Sequence, residues 1–100
     1  MQQELGREAL IFRALGHPVR LGIVWHLSSQ PETCACDFTE FFEVSQPTIS
    51  AHLRRLREAG IVVTRRRGTQ ICYSLADDTL AVVTAFLQGL GSSADLAAAG

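Results

Sequence analysis

The spacing of the apolar residues changes abruptly at Gly60, and this change restricts the chain to folds that join helices to a β-hairpin. Before Gly60, Ile49, Leu53 and Leu56 recur at the i, i+4, i+7 spacing of one helix face. After it, apolar and polar residues alternate over residues 61–75 around a single turn, as in two paired strands. The sequence therefore predicts a mainly α-helical fold that carries a β-hairpin.

Helical spacing elsewhere predicts four further segments, and the end of the chain differs from them in composition. We expect the second helix to form the buried centre, and the aromatic residues Phe38, Phe41 and Phe42 to face inward from a short helix. The last ten residues are rich in Ser, Ala and Gly, which predicts a folded domain over 1–90 and a flexible tail over 91–100. The predicted helices cover residues 3–15, 18–27, 36–43 and 78–90.

Length and cysteine content limit the class of protein. A chain of 100 residues forms one domain. It has no apolar run of the roughly 20 residues that a membrane helix needs, and Gln2, Gln3 and Glu4 do not resemble the start of a signal peptide. Three cysteines are an odd number for a secreted disulfide framework. We therefore expect a cytoplasmic protein without a membrane partner, whose cysteines are thiols available to a soft metal or to redox chemistry.

The charge is distributed unevenly along the chain. Residues 45–67 contain six arginines against the single acid Glu58, a local charge of +5, whereas the whole chain carries −1. All nine basic residues are arginine, a side chain suited to planar contacts with phosphate or guanine. A basic segment in an otherwise acidic chain indicates a localised site for a polyanion.

The order of elements predicts a winged helix-turn-helix. A short helix, a tight turn at Val44 and Ser45, a polar-faced helix and an arginine-rich hairpin follow one another. Such a helix fits the DNA major groove, while arginines on the hairpin reach phosphates or the minor groove. The predicted DNA-binding residues are Gln46, Thr48, Ser50, His52, Arg54 and Arg55 on the helix and Arg65, Arg66 and Arg67 on the hairpin.

The first and last predicted helices each carry apolar residues on two faces. Phe12, Val82 and Phe86 belong to faces that one copy of the chain is not expected to cover. A homodimer built from these two helices would bury them.

Four motifs together resemble the ArsR/SmtB family of metal-responsive transcriptional repressors. They are Ala14–Arg20 (ALGHPVR), Cys34–Asp37 (CACD), Ser45–Arg54 (SQPTISAHLR) and Leu56–Gly60 (LREAG). The resemblance implies a homodimeric winged-helix repressor that binds an inverted repeat in double-stranded operator DNA and is released when a metal ion binds. It implies no enzyme activity and no catalytic cofactor.

Cys34 and Cys36 match the Cys-x-Cys-Asp motif of the arsenic- and cadmium-sensing branch, which implies a thiophilic inducer, As(III) or Sb(III), bound by these two thiols. Trivalent arsenic and antimony prefer thiolates. Thr39 stands where the arsenic branch has a third cysteine, and Cys72 is the only other thiol. A third ligand could therefore be Cys72 or a small thiol, or the inducer could be an organoarsenical that needs only two sulfurs. The predicted last helix contains no histidine, so we expect no zinc site of the type that the family places there.

Three other functions use the same residues. Cys34 and Cys36 could form a redox or persulfide switch in the same repressor fold. A thiol oxidoreductase would leave the arginine cluster unexplained. A winged-helix module that binds proteins would differ from a repressor in failing to bind duplex DNA.

Overall fold

Four α-helices and one three-stranded antiparallel sheet make up residues 5–99, the part of the chain that this computed structural model describes. This architecture confirms the predicted mainly α-helical fold with a β-hairpin wing. The helices are α1 (Gly6–Leu15), α2 (Pro18–Ser29), α3 (Gln46–Glu58) and α4 (Asp77–Ala99), the strands are β1 (Thr33–Cys34), β2 (Val62–Arg67) and β3 (Gln70–Leu75), and a 3-10 helix spans Ala35–Glu40.

Local sequence signals fix both ends of α3. Ser45 is the N-cap, and its hydroxyl accepts a hydrogen bond from the backbone N–H of Thr48 at 3.4 Å. At the other end, the N–H of Gly60 donates to the carbonyl of Arg57, and the N–H of Ile61 donates to the carbonyl of Leu56, both at 2.9 Å. This Schellman pattern requires a left-handed residue after the helix, and Gly60 supplies it with a φ of 77°. The helix therefore starts and stops where the sequence predicts.

The core is a single apolar cluster between the helices and the hairpin. The predicted α3 stripe of Ile49, Leu53 and Leu56 is fully buried in it. The expectation that α2 is buried all round is wrong, because Trp25 is 80% exposed and Leu21 is 53% exposed. The other fully or nearly fully buried members are Ile11, Ile23, Leu27, Phe38, Ile61 and Val62.

The sheet contains a strand that the sequence pattern did not predict. The two-residue strand β1 pairs with β3, so that β3 lies between β1 and β2 in the sheet. Tyr73 and Leu75 of β3 pack against the core cluster. Since side chains alternate along a strand, Cys72 lies on the opposite face of the sheet. It is nevertheless fully buried.

Several boundaries differ from the prediction. The predicted start of the first helix at residue 3 lies outside the described residues. The short helix is a 3-10 helix over Ala35–Glu40 rather than a helix over 36–43, and Phe41, just beyond it, is 58% exposed instead of facing inward. The helix α2 runs to Ser29, and α4 continues to Ala99, past the predicted end at Leu90. The division into a domain over 1–90 and a tail over 91–100 stays a prediction.

The helices α1 and α4 pack together within one chain. The rings of Phe12 and Phe86 meet edge to face with 5.7 Å between their centroids, and Val82 packs against the core. Val82 is therefore partly covered within the single chain, contrary to expectation. A row of large apolar side chains stays exposed where these two helices meet, namely Phe12, Leu87 and Leu90, with Leu5 just before α1. Leu10 is also exposed, but it lies on the other side of α1 and faces α3. Within residues 5–99, no helix is long and apolar enough to cross a membrane.

Candidate DNA interface and thiol site

The exposed side chains of α3 form two flanks beside its buried stripe. Successive residues turn by about 100° around a helix, so Gln46, Ser50 and Arg54 share one flank. Thr48 and Arg55 lie on the other flank with His52. All of these side chains are exposed except that of His52, which is half-buried. Five of the six predicted α3 residues are thus free to meet a ligand outside the protein.

His52 faces the start of α2 rather than open solvent. Its Nδ1 lies 3.5 Å from Nη1 of Arg20, and its ring centroid lies 4.4 Å from that of His17. Burial lowers the pKa of His52 below its usual value, and the nearby His17 and Arg20 lower it further. The neutral form of the imidazole is therefore favoured, and the side chain forms a contact between α2 and α3.

The three wing arginines do not point the same way. Arg65, Arg66 and Arg67 follow one another in β2 and are all exposed. Because side chains alternate along a strand, Arg65 and Arg67 lie on one face of the hairpin and Arg66 on the other. Arg67 also donates from Nε to Oε1 of Glu32 at 2.6 Å, which offsets part of its charge. The turn between the strands contains Gly68 at a φ of 62°.

The structure contains a basic groove beside α3 that the sequence pattern did not predict. Arg13 of α1 and Arg20 of α2 line it together with Arg55 and Glu58 of α3, and its volume is about 420 Å³. Arg13 and Arg20 lie far from the arginine cluster in sequence, within a segment that is acidic on average. Only the packing of α1 and α2 against α3 could place them there. The positively charged surface therefore includes arginines from outside residues 45–67.

The cysteines are arranged differently from the predicted pair. Cys34 of β1 and Cys72 of β3 are direct cross-strand partners, with 3.7 Å between their Cα atoms, and they form a disulfide. Cys36 is exposed and free, and its thiol lies 3.7 Å from Oδ1 of Asp37. The structure thus brings Cys34 to Cys72 and leaves Cys36 at the surface. Among residues 5–99 there is no cluster of three or more His, Cys, Asp or Glu side chains that could hold a metal ion.

The thiol chemistry suits soft ligands. Sulfurs close enough to form a disulfide are, once reduced, close enough to bind one thiophilic atom together, and soft trivalent arsenic or antimony prefers thiolates. In the reduced protein, Cys34 and Cys72 therefore offer two neighbouring sulfurs to such an ion. The sequence offered Cys72 only as one alternative for a third ligand, because β1 is too short to show a periodic pattern that would pair it with β3.

Comparison with known proteins identifies the family of the chain. Residues 17–64, from the cap of α2 into β2, match the family described as "Bacterial regulatory protein, arsR family". An arsenic resistance transcriptional regulator of Pseudomonas putida is 35% identical over 88 residues, which cover 88% of this chain and 69% of that protein. An arsenical resistance operon repressor of Bacillus subtilis is 40% identical over 67% of this chain, which spans only 64% of that repressor.

Solved structures give the same result. A homodimeric winged helix-turn-helix DNA-binding domain from Mycobacterium bovis, a possible ArsR-family transcriptional regulator, superposes with a TM-score of 0.72 at 27% identity. The superposition covers 91% of this chain and 83% of that domain. The proteins that the chain matches are transcriptional regulators rather than enzymes. The chain is a winged helix-turn-helix member of the ArsR family of bacterial transcriptional regulators.

Proposed function

We propose that this protein is a cytoplasmic homodimeric repressor that binds operator DNA and is released by a thiophilic inducer. The inducer is arsenite, antimonite or an organoarsenical, and it binds at Cys34 and Cys36. The observation that carries the proposal is the exposed polar and basic surface of α3, with the arginines of β2 beside it.

The α3 surface supports DNA binding because its side chains can read bases. Gln46, Thr48 and Ser50 are exposed near the start of the helix, where side chains that both donate and accept hydrogen bonds meet base edges in related folds. Arg54 and Arg55 follow in the next turn of the helix. Arg65 and Arg66 on the wing supply charge for the sugar-phosphate backbone.

A homodimer is supported by the exposed apolar row on α1 and α4. Phe12 is 37% exposed, and Leu87 and Leu90 are 50% and 54% exposed. A second copy of these two helices would cover the row, and the similar Mycobacterium bovis domain is homodimeric. A dimer also presents two copies of α3, as an inverted repeat requires.

The inducer is supported by the thiols and by the names of the relatives. Cys34 and Cys36 flank the start of the 3-10 helix, and the chain continues from there into α3 within ten residues. Two relatives are named as arsenic or arsenical resistance regulators. An ion that draws these sulfurs together would shift the 3-10 helix and hence the position of α3.

The test is a titration on DNA. The reduced protein is bound to a labelled duplex from the region upstream of its own gene, and fluorescence anisotropy follows the addition of arsenite, antimonite, methylarsenite or Zn²⁺. We expect release by one or more of the three thiophilic inducers and none by Zn²⁺. Equal affinity for the upstream duplex and a scrambled duplex would contradict the proposal that the protein is a repressor. Continued binding to DNA in the presence of each of the three inducers would contradict the proposal that it senses a thiophilic inducer.

The Cys34–Cys72 disulfide favours a second candidate, a repressor whose DNA binding responds to oxidation or to persulfides. The thiol that pairs with Cys34 in such a switch is then Cys72 rather than Cys36. Comparing operator affinity before and after treatment with a disulfide such as oxidised glutathione tests it. A redox repressor would change its affinity in the absence of any metalloid, whereas a metalloid sensor would not.

A further inference from the structure

Cys34, Cys72 and Arg65 lie in one row across the three strands of the sheet. Cys34 of β1 faces Cys72 of β3, and Cys72 faces Arg65 of β2. We propose that Cys72 is the third sulfur ligand of the inducer site, with Cys34 and Cys36, so that the wing itself is part of the sensor. This inference rests on the proposed function and adds a ligand from a different element.

The register of the sheet supports Cys72 as a ligand. Directly opposed residues of an antiparallel pair project to the same face, with neighbouring side chains. The disulfide shows that the sulfurs of Cys34 and Cys72 reach each other without any change in the fold. After reduction, both thiols remain on the same face of the sheet and can bind one atom. By contrast, Cys36 is exposed and its thiol lies beside Asp37.

The backbone between Cys34 and Cys36 allows the sulfur of Cys36 to bind the same arsenic atom as Cys34 and Cys72. Cys34 has an extended conformation, with φ of −82° and ψ of 152°, and the 3-10 helix begins only at Ala35. The two residues are therefore not two steps along a regular helix, where their side chains would diverge by about 200°. Rotation at the junction between strand and helix can turn Cys36 toward the pair.

The three thiols differ in burial, which indicates the order in which an ion from solvent would meet them. Cys36 is exposed, Cys34 is half-buried and Cys72 is fully buried. An ion from solvent would meet Cys36 first and Cys72 last. A buried sulfur also keeps its bond to arsenic away from competing water and small thiols.

The chemistry is ligand exchange without net oxidation of the arsenic. The disulfide is first reduced by a low-molecular-weight thiol, two molecules of which become one disulfide while Cys34 and Cys72 become thiols. Arsenous acid, As(OH)₃, then exchanges its three hydroxyl groups for three thiolates. Each exchange forms one As–S bond, breaks one As–O bond and releases one water that carries the thiol proton.

The position of Arg65 explains how binding would reach DNA. An arsenic atom held by all three sulfurs would fix β3 to β1 and to the 3-10 helix, and the two strands are otherwise joined by a ladder of two residue pairs. Arg65 lies directly across from Cys72 on the neighbouring strand β2, on the same face of the sheet. The wing and the segment before α3 would therefore shift together.

The experiment counts sulfurs around arsenic by X-ray absorption in the reduced protein with sodium arsenite and no DNA. We expect three sulfurs in the parent and two in Cys72→Ser. We also expect two in Cys36→Ser, an exposed substitution that leaves the fold intact even if the buried Cys72→Ser does not. Ser74→Ala, on the same strand and face as Cys72, is the matched control and should keep three. Two sulfurs in the parent together with one in Cys36→Ser would overturn the proposal.

A parallel titration on operator DNA separates this inference from the proposed function. We expect Cys72→Ser to require at least tenfold more arsenite for release than the parent does. If Cys72→Ser instead holds arsenic as the parent does and is released equally well, Cys72 is not a ligand and the repressor proposal stands. If arsenic binds through three sulfurs but never releases DNA, the ligand assignment stands and the proposed function fails.

Discussion

Arg67 at the end of β2 is joined to Glu32, just before β1, by a hydrogen-bonded ion pair of 2.6 Å between Nε and Oε1. The contact connects the end of β2 to the residue before β1, and these two strands lie on either side of the strand that carries Cys72. It also means that one of the three wing arginines already has an acidic partner before any DNA arrives. An exposed pair of this kind adds little stability, so its main effect is on the charge offered to DNA.

Glu32→Gln should therefore strengthen DNA binding. Removing the carboxylate frees Arg67 for a phosphate, and we expect about one additional ion to be released when DNA binds. The slope of log affinity against log salt concentration measures this number. Glu40→Gln is the control, because it removes an exposed acid for which residues 5–99 show no ion pair. An unchanged slope in Glu32→Gln would show that Arg67 does not reach DNA.

The wing and α3 should contribute differently to specificity. We expect Arg65→Ala and Arg66→Ala to weaken binding to all sequences alike, because arginines on the hairpin contact the backbone. Gln46→Ala and Thr48→Ala should instead reduce the preference for the operator over random DNA, by about 1 to 3 kcal/mol for each base pair that the variant no longer recognises. Competition binding at fixed salt compares the two sets. Equal loss of specificity in the wing variants and the α3 variants would contradict this assignment of backbone contacts to the wing and base contacts to α3.

Removal of the α3 cap should destabilise the domain. Ser45→Ala deletes the acceptor for the N–H of Thr48 and should cost about 1 kcal/mol of unfolding free energy. Ser45→Asp keeps an acceptor and should retain most of the stability. Urea denaturation followed by circular dichroism measures both variants. The prediction fails if Ala and Asp at this position are equally stable.

His52 should make the stability depend on pH. Its pKa is lowered in the folded protein, so the unfolded chain binds the proton more readily and stability falls as the pH drops below the usual histidine value of about 6.5. His52→Gln should reduce this loss, measured as the change in urea midpoint between pH 7.5 and pH 5.5. His17 is the N-cap of α2, and its Nδ1 accepts a hydrogen bond from the N–H of Val19. His17→Asn keeps such an acceptor but removes the neighbouring imidazole, and should reduce the loss by a smaller amount. An identical midpoint change in His52→Gln and the parent would contradict this role.

The exposed apolar row should hold a dimer together. Sedimentation should report twice the chain mass of 10.9 kDa at micromolar concentration. Leu87→Glu combined with Leu90→Glu should give a monomer, because two charges would then lie within the apolar row. Phe41→Glu is the matched control, since Phe41 is similarly exposed but lies on neither α1 nor α4. A monomeric parent that still binds DNA would contradict the dimer.

The elements with strong local signals were predictable, and those that depend on distant pairing were not. Ser45 and Gly60 mark the ends of α3 in the sequence, and alternation marks the hairpin. The strand β1 has only two residues, so no periodic pattern could reveal it. Its partner Cys72 lies 38 residues away in sequence, and only the folded sheet brings the two cysteines together. The candidate thiol site was therefore predicted in its residue type and in Cys34, but not in its geometry.

Side-chain exposure was the other property that the sequence did not determine. The apolar composition of α2 predicts a buried helix, yet neighbouring elements cover only the side that carries Ile23 and Leu27. Arg13 and Arg20 join the basic groove for the same reason, since the packing of helices decides which sides remain open. Amphipathic spacing predicts a buried side only where polar residues mark the other one.

The exposure of Trp25 determines what an optical experiment on this protein would see. It is the only tryptophan in the chain, and its side chain lies open to water in the folded monomer, where the residue is 80% exposed. Its emission maximum should therefore already lie close to that of indole in water, and unfolding should shift this maximum very little. A blue shift would instead report that another molecule had docked against the outer side of α2. The emission wavelength of Trp25 therefore reports binding to α2 and changes little when the protein unfolds.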